Sequence, residues 1–86
     1  MNDKPEIIYY KSFICPRCIP TSRFLKNLKA QHPEIKITEI EILTNMKKTI
    51  KEGIHGIPVI AIGNKRYSGV PSIGEVLELL GIPSNN

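Results

Sequence analysis

The chain has 86 residues, 41% of them hydrophobic, which is enough for one compact α/β core over residues 1–86 and too little for two domains. No run approaches the roughly 18 apolar residues of a membrane-spanning helix, and Met1-Asn2-Asp3-Lys4-Pro5 lacks the basic-then-apolar pattern of a secretion signal, so a soluble cytoplasmic protein is the expectation. The net charge of +4 comes from scattered lysines with few aromatics among them, which reads as a solvated surface and not as a nucleic-acid face.

Glu6 to Tyr10 is a run of β-branched and aromatic residues between Pro5 and Lys11-Ser12, the signature of a first, buried strand. After Pro16 the period changes. Thr21, Phe24, Leu25 and Leu28 fall on one side of a 3.6-residue repeat and Arg23, Lys26, Asn27 and Lys29 on the other, predicting an amphipathic helix that ends near His32-Pro33. Pro20 conflicts with a helix starting at Pro16, because it removes a donor and crowds the carbonyl four residues back. Ile35 to Leu43 alternates as a strand, with a slip of phase between Ile37 and Ile40. Thr44 or Asn45 is placed to cap a short helix through Met46 and Ile50, with Gly53 as its left-handed stop. Ile57 to Ile62 is an apolar strand, and Gly63-Asn64 turns it into an antiparallel partner at Lys65 to Ser68. Ser72 and Glu75 have capping-box spacing before Val76, Leu77, Leu79 and Leu80, and Gly81 with Pro83 closes a last helix. The order β-α-β-α-β-β-α predicts a mixed four-stranded sheet flanked by helices.

Cys15 and Cys18 are the two cysteines, and a disulfide between them closes too little chain to stabilise the fold by loop entropy. Their role is therefore chemical. With Pro16 at the first helical position, Cys15 becomes the N-cap, where free backbone N–H groups and the helix dipole favour its thiolate. Arg17 adds a positive charge, and Lys11 on the preceding loop is a second candidate for that role. Cys18, one turn on, is close enough to displace a partner held on Cys15. Half of a zinc site is the competing use, but there is no second CxxC, and His32 and His55 lack the short spacing of a paired-histidine site. No metal ligands are assigned.

At these residues the chain resembles the glutaredoxin and thioredoxin superfamily over nearly its whole length. Cys15-Pro16-Arg17-Cys18 is similar to the Cys-Pro-x-Cys centre of dithiol glutaredoxins, whereas the Trp-Cys-Gly-Pro-Cys centre of thioredoxins is not matched, Phe13-Ile14 standing before Cys15. Gly56-Ile57-Pro58-Val59 resembles the family's proline ahead of the third strand. The resemblance implies a thioredoxin-like fold, a cis Ile57-Pro58 bond beside the cysteines, and an Ile57 backbone that pairs with an extended substrate segment. Tyr67-Ser68-Gly69-Val70-Pro71 departs from the Gly-Gly and aspartate pattern that binds glutathione. It looks more like the Trp-Ser-Gly-Phe-x-Pro stretch of redoxins that serve ribonucleotide reductase and are reduced by thioredoxin reductase, which makes Ser68 and Gly69 candidate substrate contacts. An ordinary strand-to-helix turn reads the same five residues equally well. Tyr10, Phe13 and Tyr67 are candidates for an apolar rim.

The function expected is thiol-disulfide exchange through a Cys15–Cys18 dithiol cycle. No tightly bound cofactor is expected; glutathione is a candidate co-substrate. The expected partners are disulfide-containing proteins on one side and thioredoxin reductase or glutathione as electron donor on the other, and nothing demands more than a monomer. Two other uses of the same residues are a metal or iron–sulfur module sharing the cysteines across a dimer, and a non-catalytic binding adaptor.

Overall fold

A computed structural model describes residues 6–82. The first strand, β1 (Ile7–Lys11), is the centre of the sheet, paired in parallel with β2 (Ile37–Glu41) on one side and antiparallel with β3 (Val59–Ile62) on the other. β4 (Lys65–Ser68) extends the sheet beyond β3, giving the order β2-β1-β3-β4. A central strand is covered on both faces, which is why β1 is an unbroken apolar run where an exposed strand would alternate. Register sets the core: Ile7 faces Ile62 and Tyr9 faces Ile60, and all four are fully or almost fully buried. Leu25 and Leu28 of α1 (Cys18–Gln31) and Val76, Leu77 and Leu80 in and just past α3 (Ile73–Leu79) pack with them. Each such aliphatic side chain contributes about 1.5–3 kcal/mol through burial. Tyr10 takes the opposite face by strand alternation, toward α2 (Met46–Lys51), where its hydroxyl donates to Glu52 at 2.6 Å.

The predicted order of elements is the observed one, with a single 3-10 turn added at Ile42–Thr44. Several boundaries differ, β1 by one residue at each end. α1 begins at Cys18 and not after Pro16, because two turn bonds come first, from Cys18 N–H to the Cys15 carbonyl (3.1 Å) and from Ile19 N–H to that of Pro16 (3.2 Å). Cys15 is therefore not the N-cap; Arg17 holds that place and makes no side-chain cap. The later start also removes the conflict at Pro20, now the third helical residue, whose missing N–H is among the four that have no intrahelical acceptor. The strand expected from Ile35 to Leu43 runs only from Ile37 to Glu41, and its slip of phase follows from its place at the sheet edge, where Ile37 and Ile40 are both only half-buried. Asn45 holds the expected N-cap position of α2, but its side chain does not cap the helix: its amide donates to the Glu41 carbonyl at 2.9 Å and to Thr44 Oγ1 at 3.1 Å, while Thr44 lies inside the 3-10 turn. β3 starts at Val59 and not at Ile57.

Gly53 ends α2 at φ +79°, as its position suggested. Ser72 Oγ accepts from Glu75 N–H at 3.5 Å ahead of α3, and Gly81 closes that helix at φ +74°; Pro83, the other expected stop, lies outside the described residues.

Candidate active site

Tyr10 at the end of β1 pairs with Val59 at the start of β3, and Val59 pairs with Ser68 at the end of β4. One end of the sheet therefore gathers the Lys11–Cys18 loop, the Ile57–Pro58 segment and Ser68–Gly69, although they are up to 58 residues apart in sequence. The Ile57–Pro58 peptide bond is cis.

Within the loop, Ser12 organises the turn. Its carbonyl accepts from Cys15 N–H at 3.1 Å and its hydroxyl from Ile14 N–H at 3.3 Å. The Glu41 carboxylate accepts from Phe13 N–H at 2.8 Å and from Leu43 N–H at 3.2 Å, joining the loop to the 3-10 turn beside it. Beneath, the fully buried Tyr9 donates to the Cys18 carbonyl at 3.0 Å and shares a 2.8 Å hydrogen bond with Ser22 Oγ. These contacts present the two cysteines unequally: Cys15 is half-buried at the surface and Cys18 is buried below it, both are free, and their Sγ atoms are 2.6 Å apart.

The electrostatics are unequal too. Burial pushes the Cys18 thiol up, as does its hydrogen bond with Cys15, and a backbone hydrogen bond at Ser12 opposes them. Cys18 thus ionises less readily than an ordinary thiol, and its Sγ lies directly behind that of Cys15. The arrangement sets one sulfur at the surface and the other directly beneath it.

An open groove of about 590 Å³ lies over this sulfur, lined by Ser12, Ile14, Cys15, Arg17, Ile42 and Ile57, with Pro16 and Leu43 at its margin. Pro16 and Arg17 are exposed. Lys11 is placed differently from its expected role. Its ammonium forms a 3.1 Å ion pair with Glu39 across β1 and β2, on a separate surface with Lys26 and Lys29. Pro58 is buried behind the half-buried Ile57. Ser68 and Gly69 share this end of the sheet without lining the groove, and Gly69 takes φ +100° between β4 and the Ser72 cap. The apolar rim is not formed by the three aromatics expected. Phe13 is exposed, but Tyr10 is buried against Glu52, and Tyr67 is half-buried with its hydroxyl 2.6 Å from Glu75. Among the described residues, no three of His, Cys, Asp and Glu stand together to share a metal ion.

Similar architectures are known. Desulfothioredoxin from Desulfovibrio vulgaris Hildenborough, solved in its reduced form, superposes with a TM-score of 0.71 at 18% identity, over 91% of this chain and 80% of its own. Thioredoxin 1 from Thermosipho africanus TCF52B gives 0.68 at 21%, over 88% and 90%, and Fasciola hepatica thioredoxin gives 0.73 at 14%, over 91% and 79%. The fold is thioredoxin-like. No protein-family profile and no curated protein sequence matches the chain, so the likeness is one of architecture. Among the described residues, no helix of this thioredoxin-like domain is long and apolar enough to cross a membrane.

Tyr9, Ser12, Glu41 and Ile42 belong to the site without having been singled out in the sequence. Ser12 carried a faint signal, a turn-forming residue three before Cys15. Glu41 carried none, since it reaches the loop only through the pairing of β1 with β2.

Proposed function

We propose that the chain is a thiol-disulfide oxidoreductase that reduces protein disulfides through Cys15 and Cys18. One observation carries the reading: an outer sulfur faces a groove while an inner sulfur lies 2.6 Å from it, within reach of displacing a partner bound there. As a thiolate, Cys15 attacks one sulfur of a partner's disulfide, forming a mixed disulfide and releasing the partner's other sulfur as a thiolate that takes up a proton. Cys18 then loses its proton and attacks Cys15 Sγ. The mixed disulfide breaks, the partner leaves as a dithiol, and the Cys15–Cys18 disulfide holds the oxidised state. Two electrons pass from the cysteines to the partner. A thiol or dithiol donor, glutathione or thioredoxin reductase, returns two electrons to close the cycle.

The raised pKa of Cys18 suits the second role. A neutral inner thiol does not compete with Cys15 for the first attack, and it acts once the partner is bound. Ile57, beside the groove, makes no loop or turn backbone hydrogen bond among the described residues, which suits pairing with an extended substrate segment.

Insulin reduction, with each donor system assayed side by side, tests the proposal. Cys15→Ser is expected to abolish turnover, and Cys18→Ser to accumulate a mixed disulfide visible by intact mass. Full activity in Cys15→Ser refutes the assigned roles. Stoichiometric iron or zinc in anaerobically purified protein, with no turnover, moves the reading to a metal or cluster-binding module.

A further inference from the structure

The groove over Cys15 does not end at the cysteines. A second opening of about 110 Å³ lies against α2, and Ile42 and Ile57 line both, so the two adjoin across these side chains and are together called a trough. The far half is walled by Thr49, Ile54, Met46 and Ile50. Met46 and Ile50 stand one turn apart on α2 and are 57% and 60% exposed, and Phe13 and Ile14 are exposed beside the Cys15 end. Single exposed apolar residues are ordinary, but a contiguous set along a trough marks a contact surface.

Cations outnumber anions near the trough. At 100° per residue, Lys47 and Lys51 fall together on the flank of the Met46–Ile50 stripe away from the buried Thr49, and both are exposed. Arg17 lines the other end. None of the three forms an ion pair within the described residues. Two carboxylates lie near, Glu41 held by the Phe13 and Leu43 amides and Glu52 by the Tyr10 hydroxyl, so three cations stand against two anions. An apolar floor with a net cationic margin is complementary to a segment with apolar side chains and carboxylates.

We propose that the trough selects disulfide-bearing partner segments that carry an apolar side chain flanked by acidic residues beside the reactive cysteine. The cysteine lies at Cys15, the apolar side chain over Ile42, Met46 and Ile50, and the carboxylates against Lys47 and Lys51. The inference rests on the disulfide-exchange reading above and adds its substrate class.

Two peptides of equal length test it, each with one internal disulfide and a leucine beside it, one carrying glutamates and the other lysines in the flanks. At low ionic strength the acidic peptide is expected to show a kcat/KM about tenfold above the basic one. The ratio should shrink toward one as salt shortens the screening length from about 30 Å to about 3 Å. The double variant Lys47→Glu/Lys51→Glu should lose or invert the preference, while Lys26→Glu/Lys65→Glu, the same charge change elsewhere, should keep it. Equal rates for the two peptides, or a preference that survives Lys47→Glu/Lys51→Glu, overturn the proposal. Titrating the protein with the reduced, S-methylated acidic peptide reads docking without chemistry, through the backbone NMR signals of Leu43, Met46, Ile50 and Ile57. Shifts there without turnover of any disulfide support the docking surface and refute the exchange reading. No shifts, with bis(2-hydroxyethyl) disulfide still reduced, overturn the docking surface and leave the exchange reading standing.

Discussion

Removing one oxygen beneath the cysteines, by Tyr9→Phe, separates what holds Cys18 in place from what fills the core. The ring is fully buried and stays, so no cavity of consequence is made. The hydroxyl makes two neutral hydrogen bonds, to the Cys18 carbonyl at 3.0 Å and to Ser22 Oγ at 2.8 Å. Each is worth about 0.5–1.5 kcal/mol net. The Cys18 carbonyl keeps the i+4 amide of its own helix, and the half-buried Ser22 hydroxyl has access to solvent, so neither is stranded. The expected loss is therefore about 1–1.5 kcal/mol, against about 3–5 kcal/mol for truncating the ring to Ala. For a domain of this size that lowers Tm by about 4–10 °C. Urea unfolding followed by circular dichroism should show a lower midpoint with an unchanged slope. A loss above about 3 kcal/mol refutes the claim that both partners keep an alternative, and a loss below about 0.3 kcal/mol refutes the bonds themselves. A kinetic consequence goes with it. Burial, more than any other cause, holds the Cys18 thiol up, and the Tyr9 hydroxyl weakly opposes it. Tyr9→Phe should thus make Cys18 harder to ionise and slow the decay of the mixed disulfide at fixed pH, with little change in the first attack.

Thr21 is almost fully buried one turn below Cys18, and its hydroxyl has no partner among the described residues, so Thr21→Val is expected to stabilise the fold by about 1 kcal/mol in the same urea assay; a destabilised variant refutes it. Glu41→Ala removes the acceptor that joins the Phe13 amide to that of Leu43. Solvent replaces part of what is lost, so stability should fall by only about 1 kcal/mol. KM for peptide disulfides should rise while kcat for bis(2-hydroxyethyl) disulfide stays within about twofold; parallel losses on both substrates would mean that the carboxylate does not shape the groove. Burial pushes Tyr9 and Tyr10 up to about 12 from 10.0. The unfolded chain releases these protons first, so stability is complete below about pH 10 and falls as pH rises toward about 12. Urea midpoints across that range should decline, and less steeply in Tyr9→Phe.

Much of this protein is legible segment by segment. The unbroken apolar run of β1, the 3.6-residue period of α1, the Gly63-Asn64 turn and the Ser72 cap each depend on neighbours a few positions away, and together they fix the element order and the thioredoxin-like fold. The spacing of Cys15 and Cys18 is equally local. What the sequence by itself leaves open is which side chains meet between segments. Lys11 lies four residues from Cys15 yet pairs with Glu39, because the parallel register of β1 and β2 brings that carboxylate across the sheet. Tyr10 passes for a rim residue until strand alternation turns it toward α2. The start of α1 was misplaced by a local rule, proline at the first helical position, that two turn bonds at Cys15 and Pro16 override. The trough from Cys15 to Ile50 belongs to no single segment: Ile42 comes from the 3-10 turn, Met46 from α2 and Ile57 from the segment before β3, and only the closed fold sets them side by side. Periodicity and turn chemistry act over a few residues, whereas a site is made by long-range register, and that is decided only when the chain closes on itself.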